Sequence, residues 1–212
     1  MSEDLIARLS QDLRPLPRFM VARRLLVGAI LGLLVSAALV AAIVGVRPDI
    51  GQAVGKTMFW GKLVYALALA AMALWACERL ARPAGDARGR IGWLFAPVLA
   101  LAAAAGWQFA HAPAAARAPM LMGHSASVCP WLILAFSLPP LGGLVWAVRG
   151  LAPTRLRLAG LMVGLAAGGA GAAAYALHCD EMAAPFLVAW YTLGVAAAGV
   201  VGWSLGPRVL RW

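Results

Sequence analysis

The sequence predicts an all-α, polytopic membrane protein: six transmembrane helices, a short amphipathic helix before them, and both termini in the cytoplasm. Three observations predict it. The 212 residues are 63% hydrophobic and 12% charged, against the roughly half-apolar, quarter-charged balance of soluble domains. Six runs reach the length of about 20 apolar residues that a helix needs to cross a bilayer. The cationic residues, which give a net charge of +10, fall mainly on one side of those runs.

The first element is a tail, residues 1–24, too short to fold as a soluble catalytic or DNA-binding domain. In its first fourteen residues Leu5, Ile6, Leu9 and Leu13 fall within an arc of about 100° on a helical wheel, while Glu3, Asp4, Arg8, Gln11 and Asp12 lie outside it. Ser2 can cap this helix, Glu3 and Asp4 suit its positive end, and Pro15 and Pro17 stop it before the bilayer. So short a helix is marginal alone and must bury its stripe on lipid, on the chain's own loops or in a partner's groove. Acidic residues on the polar face argue against an anionic lipid surface and for a protein partner.

The spans follow at about 25–46, 58–76, 91–110, 130–148, 158–177 and 185–206, forming one domain over about 25–206, with 207–212 as a cytoplasmic tail. The first span is longer than a signal-peptide core and follows an acidic tail, so the small residues Ser36, Ala37 and Ala38 are not read as a cleavage site. In the second span Lys62 lies near the outer end, where its stem can snorkel, and Cys77 at the inner end reads as a packing residue. Pro139 and Pro140 must kink or break the fourth span. Gly160, Gly164 and Gly168 recur every four residues in the fifth and permit close helix contacts, within or between chains. Trp190 and Tyr191 open the sixth as an interfacial belt. No span places Asp, Glu, His or Arg near its centre, and Lys62 is near an end, which disfavours ion- or proton-coupled transport.

With the N-terminus inside, fourteen arginines lie on the cytoplasmic side: Arg8, Arg14, Arg18, Arg23, Arg24, Arg79, Arg82, Arg88, Arg90, Arg149, Arg155, Arg157, Arg208 and Arg211. Only Arg47, Lys56 and Arg117 lie in the outer loops. That asymmetry sets the orientation and accounts for most of the +10, so no direct nucleic-acid contact is expected.

Chemistry concentrates on the outer side. All three histidines, His111, His124 and His178, fall there, with two of the three cysteines. Cys129 opens the fourth span and Cys179 follows the fifth, so an antiparallel hairpin places both at one depth. Their spacing allows a disulfide, a redox-active dithiol or, with His124, His178 and Glu181, a sensor for a soft metal ion. The candidate metal set is Cys129, Cys179, His178 and His124; a metal there would be transient, and no resident cofactor is expected. Without a Cys-x-x-Cys motif, a membrane thiol oxidoreductase is the weaker reading, as is a small metal-efflux protein.

The tail Leu5-Ile6-x-x-Leu9-x-x-Asp12-Leu13-x-Pro15 carries a resemblance, together with Cys129-x-x-x-Ile133-x-x-x-Ser137-x-Pro139, His178-Cys179-x-Glu181, Pro185-Phe186-Leu187 and Trp190-Tyr191-x-Leu193-Gly194. Together these blocks resemble the negative regulator of sigma-F family, six-span inner-membrane anti-sigma factors of proteobacteria. Asp180 departs from the proline that often follows the second cysteine in that family. The resemblance implies a non-enzymatic regulator whose Leu5, Ile6, Leu9, Asp12 and Leu13 hold an extracytoplasmic-function sigma factor. It also implies that the two outer cysteines take part in releasing it.

Overall fold

The computed structural model describes residues 19–82 and 85–211. The expected docking residues Leu5, Ile6, Leu9, Asp12 and Leu13 lie outside the described residues. Among those described, all regular structure is helical. Six helices are long and apolar enough to cross a membrane: α1 Met20–Val44, α2 Thr57–Leu80, α3 Arg88–His111, α4 Cys129–Arg149, α5 Leu156–Tyr175 and α6 Ala184–Val209. Each coincides with an expected span to within a few residues. Two short helices, Ile50–Ala53 and Ala114–Met122, sit in the connections after α1 and α3.

Apolar side chains gain little from leaving lipid for protein, so helix association in a membrane depends on close packing and internal hydrogen bonds. In α5 the glycines make the close packing possible. A Cβ on Gly160 or Gly164 would run into the α6 backbone at Gly202 or Ala198, and one on Gly169 into α2 at Ala66 and Ala70. A Cβ on Gly171 would strike α4 at Phe136 and Ser137. The glycine stripe therefore makes contacts within the chain, with α5 as the buried centre of the bundle and α2, α4 and α6 against it. A second close pair joins α1 to α4, where Gly28 meets Gly143 and Gly32 meets Pro140.

The expected break in α4 falls at Ser137, between the segments Cys129–Phe136 and Leu138–Arg149. Proline at 140 has no N–H to offer the Phe136 carbonyl four residues earlier. Ser36 of α1, wholly buried, supplies the missing donor: its Oγ donates to Phe136 O at 2.6 Å. The kink is thus satisfied from a neighbouring helix, as the absence of water in a bilayer requires.

The two ends of the bundle differ. At one, Arg24 donates to Trp146 O, Arg82 and Arg90 pair with Glu78, Arg155 lies 3.6 Å from Asp86, and Arg157 stacks on Trp203. The other end holds Cys129, Cys179, His124 and His178. Cys77 lies in the core near the arginine end, with Leu80 and Leu144 around it.

Replacing Gly164 by Leu should force α5 from α6, lowering the melting temperature of the detergent-purified protein by roughly 5 °C or abolishing its accumulation in membranes. Gly142→Leu, where nothing lies within 4 Å of the added Cβ, should do neither. Equal melting temperatures for the two variants would contradict the packing described.

Candidate functional site

Three helices and the turn that follows a fourth present a side chain to one buried place at the cysteine end. The first turn of α4 contributes Cys129, with Pro130 behind it, where a missing N–H costs no helical bond. Past the end of α5 the chain turns through Ala176, Leu177 and His178, and the Cys179 N–H closes the turn on Tyr175 O at 3.0 Å. α2 brings Lys62 and α6 brings Tyr191. All four side chains are buried, with Lys62 and Tyr191 at 0% exposure.

Both thiols are free. The two cysteines lie in one buried cluster with Tyr175 and Tyr191, and Cys179 feels the charge of Lys62. Neighbouring Cys129, aided by Lys62, holds the Cys179 thiol below the ordinary cysteine range although burial pushes the other way. The backbone of Cys179 is gripped as firmly. Its carbonyl oxygen accepts from Lys62 Nζ at 2.8 Å and from Arg47 Nη1 at 3.2 Å. Arg47 is itself fixed by Asp49, which takes its Nε at 2.6 Å and its Nη2 at 2.7 Å. That fork holds the Asp49 carboxyl below the usual carboxylate range. A polar cleft of about 450 Å³, lined by Arg47, Asp49, His178 and Asp180 among others, opens beside this strand of chain.

Glu181 has a structural task. Its Oε1 accepts from the His124 N–H at 2.6 Å and, at 3.4 Å, from the Ser125 N–H and hydroxyl. This ties the segment before Cys129 to the one after Cys179. Gly123 permits the arrangement: its φ is +51°, and a Cβ there would overlap the Glu181 carboxylate.

The structure therefore brings together Cys129 and Cys179, with Glu181 beside them, but separates the histidines from the sulfurs. His178 turns its Nδ1 to Gly45 O at 2.9 Å, and the His124 ring is 78% exposed, its Nδ1 3.9 Å from Glu181. Among the described residues no three His, Cys, Asp or Glu side chains converge as metal ligands, so the set Cys129, Cys179, His178 and His124 is not assembled.

Two expectations are corrected. Lys62 does not snorkel to the surface; the Cys179 carbonyl holds it inside. Tyr191 is no interfacial belt residue, because a π-helical turn over Leu187–Tyr191 rotates it onto the thiols, while its neighbour Trp190 bonds Leu121 O near the surface. Sequence reasoning passed over Lys62, Arg47 and Tyr191 as parts of the site. For Lys62 a signal existed, since an ionisable residue inside a span is by default a functional candidate.

Fold and site together define a class: a helical protein with six helices long and apolar enough to cross a membrane and a buried two-thiol centre at one end. The chain belongs to the family described as negative regulator of sigma F, whose model matches residues 9–212. It is 41% identical to the anti-sigma-F factor NrsF of Caulobacter vibrioides over 100% of this chain and 99% of that protein. A probable anti-sigma-F factor NrsF of Azospira oryzae is 36% identical over 100% of this chain and 99% of its own length. No solved structure matches.

Mild oxidation of the protein in membranes should join Cys129 to Cys179 within one chain and leave Cys77 free, as read by mass spectrometry of non-reduced peptides. A product linking Cys77 to either would contradict the placement of the thiols.

Proposed function

We propose that this chain is a non-enzymatic, membrane-held anti-sigma factor that sequesters an extracytoplasmic-function sigma factor and releases it when two periplasmic thiols react. The observation that carries the anti-sigma reading is end-to-end similarity to relatives named anti-sigma-F factors. The sensing reading is supported by Cys129 and Cys179, free thiols buried in one cluster.

The positive-inside asymmetry puts the arginine end in the cytoplasm and the cysteine end in the periplasm of a bacterial inner membrane. The apolar stripe of Leu5, Ile6, Leu9 and Leu13, with Asp12 beside it, occupies a groove on the sigma factor and keeps it from the transcription machinery; the membrane protein itself does not touch DNA. Lipid is its other contact. Oxidants, or thiol-seeking metal ions, act on the same two sulfurs. Removing two electrons and two protons from the pair forms one S–S bond, which draws the first turn of α4 against the end of α5.

α1 has 25 residues and so spans roughly 37 Å, with the thiols near its C-terminal end and the chain before Met20 entering at the other. The signal must therefore favour one packing of the bundle over another by several kcal/mol. The break at Ser137, pinned by α1 through Ser36 and by α5 through Gly171, is the element this reading assigns to that change.

Leu9→Asp should give constitutive sigma-dependent transcription with normal protein abundance in membranes. Cys129→Ser and Cys179→Ser should each keep repression but lose oxidant-induced release. Unchanged repression in the first variant overturns docking through the tail, and induced release surviving in both cysteine variants overturns sensing by the thiols.

A further inference from the structure

Lys62 lies on the stripe of α2, continued by Ala66 and Ala70, that packs on α5, and it is wholly buried. An ammonium group so placed needs an anion. The carboxylates of this end are otherwise engaged: Asp49 holds Arg47, Glu181 holds the turn at His124 and Ser125, and Asp180 is exposed. What Lys62 meets is Cys179, through the carbonyl oxygen at 2.8 Å and the charge it exerts on the sulfur. Its Nζ also lies 5.7 Å from the centre of the Tyr191 ring. The hydroxyl of that tyrosine is buried without a hydrogen-bond partner among the described residues, in the cluster that holds Cys179.

We propose that Lys62 is the positioning residue that makes Cys179 the attacking thiol of the pair, with the Tyr191 hydroxyl as a second donor to the same sulfur and Cys129 as the resolving thiol. The assignment rests on the reading of Cys129 and Cys179 as a reactive pair. With an organic peroxide as oxidant, the Cys179 thiolate attacks the terminal peroxide oxygen. The O–O bond breaks and the departing alkoxide takes up a proton, leaving an alcohol and a sulfenic acid on Cys179. The Cys129 sulfur then displaces hydroxide from that sulfenic acid and gives up its own proton. The S–S bond forms and water leaves, two electrons having passed from the sulfurs to the peroxide.

The same step changes the charge balance inside the bundle. A disulfide sulfur carries no charge, so Lys62 is left in the interior without a counter-ion. The cost falls on the α2–α5 contact at Ala66, Ala70 and Gly169, which holds Lys62 in place.

The test is competitive alkylation of the full-length protein in detergent by iodoacetamide at neutral pH, with the Cys129 and Cys179 peptides quantified by mass spectrometry. In the unmodified chain Cys179 should react about tenfold faster than Cys129 or more, as expected for a thiol favoured as thiolate. Lys62→Gln, which keeps a donor for the carbonyl but not the charge, should bring the ratio close to one, and Lys62→Arg should preserve it. Simple loosening of the fold would speed both thiols together and leave the ratio to report on charge. Cys129 reacting first or equally in the unmodified chain, or an unchanged ratio in Lys62→Gln, overturns the assignment, as does a ratio lost equally in Lys62→Arg. Because no sigma factor is present, failure of cysteine-dependent release in cells would count against the sensing reading and not against this ordering of the thiols.

Discussion

The close backbone contacts that glycine allows along α5 are the constraint on which the rest of the structure depends. Gly160 and Gly164 admit α6, Gly169 admits α2 and Gly171 admits α4. Because these neighbours lie against one helix, the residues at their ends converge where α5 stops: Cys129 from α4, Lys62 from α2 and Tyr191 from α6, around Cys179. Larger side chains at those glycines would separate the helices and with them the members of the site. In a bilayer, where burial of apolar surface between helices is weakly driven, such packing is the main source of cohesion.

A second rule, that polar groups in lipid must find partners within the protein, places the remaining parts. Ser36 answers the Phe136 carbonyl left free by Pro140. The carbonyl of Cys179, past the last turn of α5, receives both Lys62 and Arg47. Each of these bonds joins elements far apart in sequence, and the Cys179 carbonyl ties α2 and the residues after α1 to the end of α5. The proposed signal thus needs no ionisable path through the membrane and travels as a change in helix packing.

The long-range features were legible in the sequence where they depend on composition and spacing. Six spans, the break near Pro139 and Pro140, the glycine stripe and the neighbourhood of Cys129 and Cys179 follow from apolar length, a missing N–H, four-residue periodicity and antiparallel connection. What was not legible depends on contacts between elements. Lys62 looked like a snorkelling residue because its depth, but not its facing helix, can be read from one strand of sequence. Tyr191 looked like a belt residue because a regular helix was assumed where a π-helical turn changes the facing. His178 and His124 lie near the cysteines in sequence, yet the His178 ring is held by the Gly45 carbonyl and the His124 ring is exposed. The docking stripe from Leu5 to Leu13 remains a reading of the sequence alone.

The claim that joins these parts is that the state of two thiols at one end of the bundle governs a sigma factor held at the other. It is tested most directly by oxidising membranes that carry the complex in graded steps. At each step one measures the fraction of chains with Cys129 linked to Cys179 and the fraction of sigma factor still bound. The two fractions should change together, and a reductant should restore both. Sigma factor leaving while both thiols remain free, or staying bound when the disulfide is complete, would contradict the claim.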